Sequence, residues 1–148
     1  MIVSKLKDVI LSNGSATNLS GERNNCAVTA LSAAFDIPYD KADSFATQAW
    51  NRKRRRGTNT QAIVKTFTDA KELFNKNIEP VSPVNEYHTK EKVVNCRYKL
   101  YNFAKKYNKG TYYTIVRGHA TVIKNGIVLD NFKPGSIVNH VWKISDID

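Results

Sequence analysis

Apolar residues along this chain keep a spacing of three and four up to about residue 107 and then alternate, so helices are predicted first and strands last. Val3 to Leu11 has the helical spacing and is stopped by Ser12-Asn13-Gly14, and a polar connection then runs to Asn25. From Cys26 to Phe35 (CAVTALSAAF) there is no charge and little bulk. A helix apolar almost all round is a buried one, and its alanines permit close approach to a sheet. Asn24 or Asn25 supplies its N-cap. Pro38-Tyr39-Asp40 opens a second helix to about Trp50, with Ala42, Phe45, Ala46 and Ala49 on one face. A third, capped by Thr58 or Thr60, carries Ile63, Val64, Phe67, Ala70 and Phe74 at helical spacing.

IEPVSPVNEY holds two prolines and predicts a loop with at most an edge strand. Val93, Cys96, Leu100, Phe103 and Tyr107 predict one stripe of a fourth helix, ended by Asn108-Lys109-Gly110. TYYTIVR, HATVIK, IVLDNF and IVNHVWKI then read as strands, being rich in β-branched and aromatic residues. Asn125-Gly126 between two of them is a strong hairpin signal. Helices followed by an antiparallel sheet give an α+β fold. With 148 residues, no internal repeat and no Gly/Ser/Pro-rich linker, a single domain is expected.

Charge changes this picture in one respect. Lys and Arg number 23 against 13 Asp and Glu, a net +10. The run Arg52-Lys53-Arg54-Arg55-Arg56 concentrates it where the second helix ends. Such a run is either a solvated helix end or a patch for phosphate or an acidic partner. No aromatic-basic motif of an RNA-binding fold accompanies it. No span is long and apolar enough for a bilayer, and the N-terminus lacks the pattern of a signal peptide, so a cytoplasmic protein without membrane contact is expected. Two cysteines make no disulfide framework, and no His or Cys pair has metal-ligand spacing, so neither metal nor other cofactor is expected.

The candidate chemistry lies in GERNNCAVTALSAAF, where Cys26 stands at the junction of polar and charge-free sequence. A thiol at a helix N-terminus sits at the positive end of the helix dipole, which favours thiolate. A catalytic thiol also needs a base, and the base needs an orienting group. His119 starts the strand before the Asn-Gly hairpin and Asp130 lies on the returning strand. With a two-residue turn, Lys124 faces Ile127, Thr121 faces Asp130 and His119 faces Phe132. Positions 119 and 121 share a sheet face, so Asp130 is the diagonal neighbour of His119, about 7 Å away between backbones. Asn131 points to the other face. Backbone N–H groups at the helix start, that of Cys26 included, would stabilise an oxyanion.

These residues, Cys on a buried helix followed by His and Asp on strands, resemble the papain-like cysteine peptidase fold. More closely, RNNCAVTALSAAFDIPYDKA, Arg56-Gly57-Thr58 and RGHATVIKNGIVLDNF are similar to short papain-like proteins encoded by bacteriophages. The resemblance implies catalytic Cys26, His119 and Asp130, a peptide or isopeptide substrate and, for a phage protein, the cytoplasm of the host cell. Papain has a glutamine six positions before its cysteine as oxyanion donor; Ser20 stands there in this chain, and Asn24 is the substitute amide. Cys96 is assigned to packing, His140 to structure and His88 to a solvated loop. The competing expectation is a basic protein that binds host nucleic acid or an acidic protein on an inert scaffold of the same fold.

Overall fold

The computed structural model describes residues 26–50, 60–117, 119–129 and 135–147. The helix predicted over Val3–Leu11 lies outside them. Helix α1 spans Cys26–Phe35, and every residue after Cys26 is buried, as its lack of charge requires. It ends at Asp36, whose φ of 53° is left-handed, while Ser32 Oγ donates to Ile37 O at 2.5 Å. Helix α2, Tyr39–Ala49, starts directly after Pro38 and buries Ala42 and Ala46. Ala49, expected on that face, is exposed; Trp50 beyond it takes the core position instead and donates Nε1–H to Thr66 Oγ1 at 2.9 Å.

Helix α3, Thr60–Asp69, buries Ile63 and Phe67. Phe67 is the centre of an aromatic group, 4.9 Å from Tyr113 and 5.0 Å from Trp142 between ring centroids. Phe74 does not extend this helix. Glu72–Leu73 (β1) and Lys76–Val81 (β2) form a hairpin, and Phe74 and Asn75 are its turn, with φ of 51° and 62°. A bulky residue in that region is strained, and edge contacts of the Phe74 ring with Phe35 and Phe45 offset the strain.

The stretch expected as a loop with at most an edge strand therefore holds two strands, β2 and, after Ser82-Pro83, β3 (Val84–His88). Pro80 is tolerated because β1 pairs only with Lys76 and Asn77 and the Ile78 N–H donates to Lys71 O, so β2 is an edge strand from Glu79 onward. The predicted fourth helix is corrected more substantially. Val93–Arg97 is strand β4, paired with β3, and only Leu100–Lys106 forms helix α4. The helical spacing of Val93 and Cys96 carried no burial, since both are exposed, while Leu100, Phe103 and Ala104 are fully buried.

Strands β5 (Thr111–Val116), β6 (His119–Lys124), β7 (Ile127–Val128) and β8 (Val138–Asp146) join β1 and β2 in one sheet of order β1-β2-β8-β5-β6-β7. All neighbouring pairs are antiparallel, so the architecture is α+β. One face of the sheet presents Tyr113, Ile115, Ala120, Val122, Trp142 and Ile144 to α1, α2 and α3. The other presents Tyr112, Val116, Ile123, Val128 and Val141 to Tyr98 and α4.

Helix α1 runs in the same direction as β6. Its C-terminal end is tied to the end of that strand by an ion pair of Lys124 with Asp36 at 3.3 Å. Ten helical residues rise about 15 Å, close to the length of a six-residue strand. The N-terminal residue of α1 thus reaches the start of β6.

Candidate active site

Cys26 is half-buried at the start of α1, where the backbone N–H groups of the first turn have no partner within the helix. Two strands fix its position. On β5, the hydroxyl of Tyr113 donates to the carbonyl of Ala27 at 3.0 Å. Tyr113 is fully buried, and burial together with the nearby Cys26 pushes its phenol well above the usual range, so it remains a neutral donor. On β6, the side chain of His119 and the N–H of Ala120 both hydrogen-bond the sulfur.

The electrostatics follow from these contacts. Burial pushes the Cys26 thiol up, but the hydrogen bond and charge of His119 and the N–H groups of Ala120 and Ala27 outweigh it, and the net shift is downward. A thiol that ionises more readily than usual beside an imidazole has the two features that a thiolate nucleophile requires.

The hairpin behind His119 has the register read from sequence. Lys124 pairs with Ile127 and Ile123 with Val128 across Asn125-Gly126, whose φ values of 50° and 80° are both left-handed. Leu129 N–H continues the ladder to Val122 O at 2.9 Å. The turn is anchored from outside as well. Asn125 Oδ1 accepts from Gly110 N–H and Asn125 N–H donates to Gly110 O, each at 2.9 Å. Asp130 is the next residue and lies outside the described residues, as do Asn24 and the basic run Arg52–Arg56.

Of the sequence-predicted site residues within the described structure, Cys26 and His119 are brought together. The remaining thiol and imidazoles are elsewhere. Cys96 is exposed on β4 and is not a packing residue, because the helix that would have buried it is a strand. His88 is exposed as the last residue of β3. His140 lies on β8 with its ring parallel to that of Trp142 at 5.9 Å, and burial followed by the charge of Arg97 holds its pKa down. Among the described residues no group of His, Cys, Asp or Glu could hold a metal ion, and no helix is long and apolar enough to cross a membrane. Sequence reasoning missed Tyr113. The signal available was a tyrosine in a strand buried on both faces, whose hydroxyl must find a partner, but nothing local names Ala27 as that partner.

Compared with protein-family models, curated proteins and solved structures, the chain matches none.

Proposed function

We propose that this protein is a cysteine hydrolase or acyl-transfer enzyme in which Cys26 is the nucleophile and His119 the base. The observation that carries the reading is the hydrogen bond between the two side chains at the start of a buried helix, with the net ionisation of the thiol favoured. In the reaction, His119 takes the thiol proton and the sulfur attacks a carbonyl carbon. The oxyanion is held by N–H groups at the start of α1 and, on the papain-like reading, by the side chain of Asn24. Imidazolium returns the proton to the leaving amine, leaving a thioester on Cys26. Water, deprotonated by His119, or an amine then releases the acyl group. Asp130 is the orienting group for His119, supported by the hairpin register that holds to Leu129. The papain-like reading also supplies the substrate class, a peptide or isopeptide, and the phage setting. It is supported by the order of Cys-bearing helix, His strand and returning strand.

The test is the rate of alkylation of Cys26 by iodoacetamide as a function of pH, with exposed Cys96 modified in the same sample as internal comparison. A profile for Cys26 displaced below that of a free thiol, about 8.5, and moved upward in His119→Ala is expected. Coincident profiles for Cys26 and Cys96 would reject the nucleophile. The net charge of +10 favours a second reading, an electrostatic contact of Arg52–Arg56 with nucleic acid or an acidic protein. Its signature is salt-dependent binding that persists in Cys26→Ala and is lost when the run is neutralised.

A further inference from the structure

Between Glu91 and Asp130 the chain holds eight Lys and Arg residues and no Asp or Glu, and helix α4 lies inside that interval. Its buried stripe is Leu100, Phe103 and Ala104, with Tyr107 half-buried beside them. The opposite stripe, Tyr101, Asn102, Lys105 and Lys106, is exposed, as are Lys99 before the helix and Lys109 after it. Tyr101 and Lys105 are four apart, as are Asn102 and Lys106, so each pair is adjacent on the helix surface. Among the described residues no ion pair neutralises any of these four lysines. Lys143 of β8 comes close to Gly110 at the same end, but Glu79 stands opposite it on β2, so that flank is of mixed charge.

Helix stability explains only part of this charge. Cations in the last turn suit the negative end of the helix dipole, which accounts for Lys105 and Lys106. Lys99 is different. It is the N-cap residue, at the positive end, where a cation is disfavoured and Ser, Thr, Asp or Asn is preferred. Its side chain makes no capping hydrogen bond, and the first turn holds no acid. The helix is thus charged against its own dipole at one end.

Four unpaired cations call for an anionic partner, and the other side chains select its class. Protein partners are bound through a centre of aromatic, Met and Arg side chains from which lysine is depleted. The exposed stripe of α4 has no aliphatic side chain, and lysine is half of it. Lys, Asn and Tyr are among the side chains that contact phosphate and sugar. An exposed aromatic ring beside cations is also the pairing that stacks a base while holding the adjoining backbone. Lys99 to Lys106 spans about 10 Å along the helix, over which one nucleic-acid strand carries about three phosphates. We propose that the outer face of α4 binds single-stranded nucleic acid, with phosphates on Lys99, Lys105, Lys106 and Lys109 and a base on Tyr101. Neither the reactivity of Cys26 nor the run Arg52–Arg56 is required for it.

The experiment is fluorescence anisotropy of the full chain with a labelled oligo(dT) of about ten nucleotides, over a series of salt concentrations. Four phosphate contacts to a single strand contribute about −3 to the slope of log affinity against log salt, a loss of about 60-fold between about 50 and 200 mM. Changing the four lysines to Gln should make the slope shallower by about 3. Tyr101→Ala should weaken binding at least about fivefold and leave the slope unchanged, because stacking releases no counterions. All five side chains are exposed, so both variants should keep the wild-type midpoint in urea. Poly-glutamate or duplex DNA bound as tightly as the single strand, with Tyr101→Ala without effect, would overturn the single-stranded partner. An unchanged slope in the lysine variant would overturn the α4 surface; loss of binding on neutralising Arg52–Arg56 instead would assign the contact to that run.

Discussion

Thr114 and Thr121 face each other across β5 and β6, both with no exposed surface, and among the described residues neither hydroxyl has a hydrogen-bond partner. On the same sheet face Tyr112, Val116, Ile123 and Val141 are buried around them. A buried hydroxyl without a partner costs about 1–3 kcal/mol relative to an apolar group of the same shape. Valine has that shape and an equal preference for strands. Thr114→Val and Thr121→Val are each expected to stabilise the fold by about 1 kcal/mol. At a urea dependence of about 2 kcal/mol per molar, each raises the unfolding midpoint by about 0.5 M. The melting temperature should rise by about 3 °C for each.

The assay is urea unfolding of the two single variants and the double, read as a double-mutant cycle. If the hydroxyls have no partner, each single variant stabilises the fold and the double gains about the sum. A contrary pattern is also defined. If the two hydroxyls bond each other, each single variant is destabilising because it leaves one of them orphaned, and the double variant recovers. Destabilised singles with a recovered double would refute the reasoning. Thr121 is also the residue that the register read from sequence sets opposite position 130, so alkylation of Cys26 in Thr121→Val separates a packing role from a role in the site.

Three further outcomes follow from the same contacts. Because the folded pKa of Cys26 is lowered, the unfolded chain holds more protons between that value and the free-thiol value. The stabilisation is therefore full above the free-thiol value and lost as pH falls through the folded one; the difference in urea midpoint between wild type and Cys26→Ser should widen as pH rises through that window and be flat above it. Phe67→Ala opens a cavity among Tyr113, Trp142, Phe35 and Trp50 and is expected to cost about 3–5 kcal/mol in urea unfolding, with slower alkylation of Cys26 as Tyr113 loosens. Gly126→Ala places a methyl group at φ of 80° and 3.4 Å from the carbonyl of Ala104, and should cost about 1–2 kcal/mol by the same assay.

What could be read from the sequence was what neighbouring residues decide among themselves. The charge-free run named α1, and the Asn-Gly pair fixed the register of β6 and β7, since both signals act within a few residues. The failures lie between 72 and 97. Val93 and Cys96 share helical spacing with Leu100 and Phe103, but Val93 and Val94 are β-branched and pair with His88 and Tyr87 in a separate hairpin. Periodicity counts spacing and is blind to whether a face is covered; here it was not. The sheet order was equally beyond reach, because β8 enters between β2 and β5, and pairings so distant in sequence leave no local trace.

The contact of Cys26 with His119 belongs to neither class. Sequence supplied each residue's element, yet the two meet only if α1 lies along β6 in one direction and one translation. Two contacts impose that placement, and they act at opposite ends of the helix. Lys124 with Asp36 holds the C-terminal end, exposed and worth little by itself. The Tyr113 hydroxyl holds the N-terminal end and is fully buried, so a shift of α1 along the sheet would leave it without its acceptor. The penalty for that misplacement falls on the turn that carries the thiol. The proposed chemistry is thus positioned by a tyrosine that takes no proton and touches no substrate.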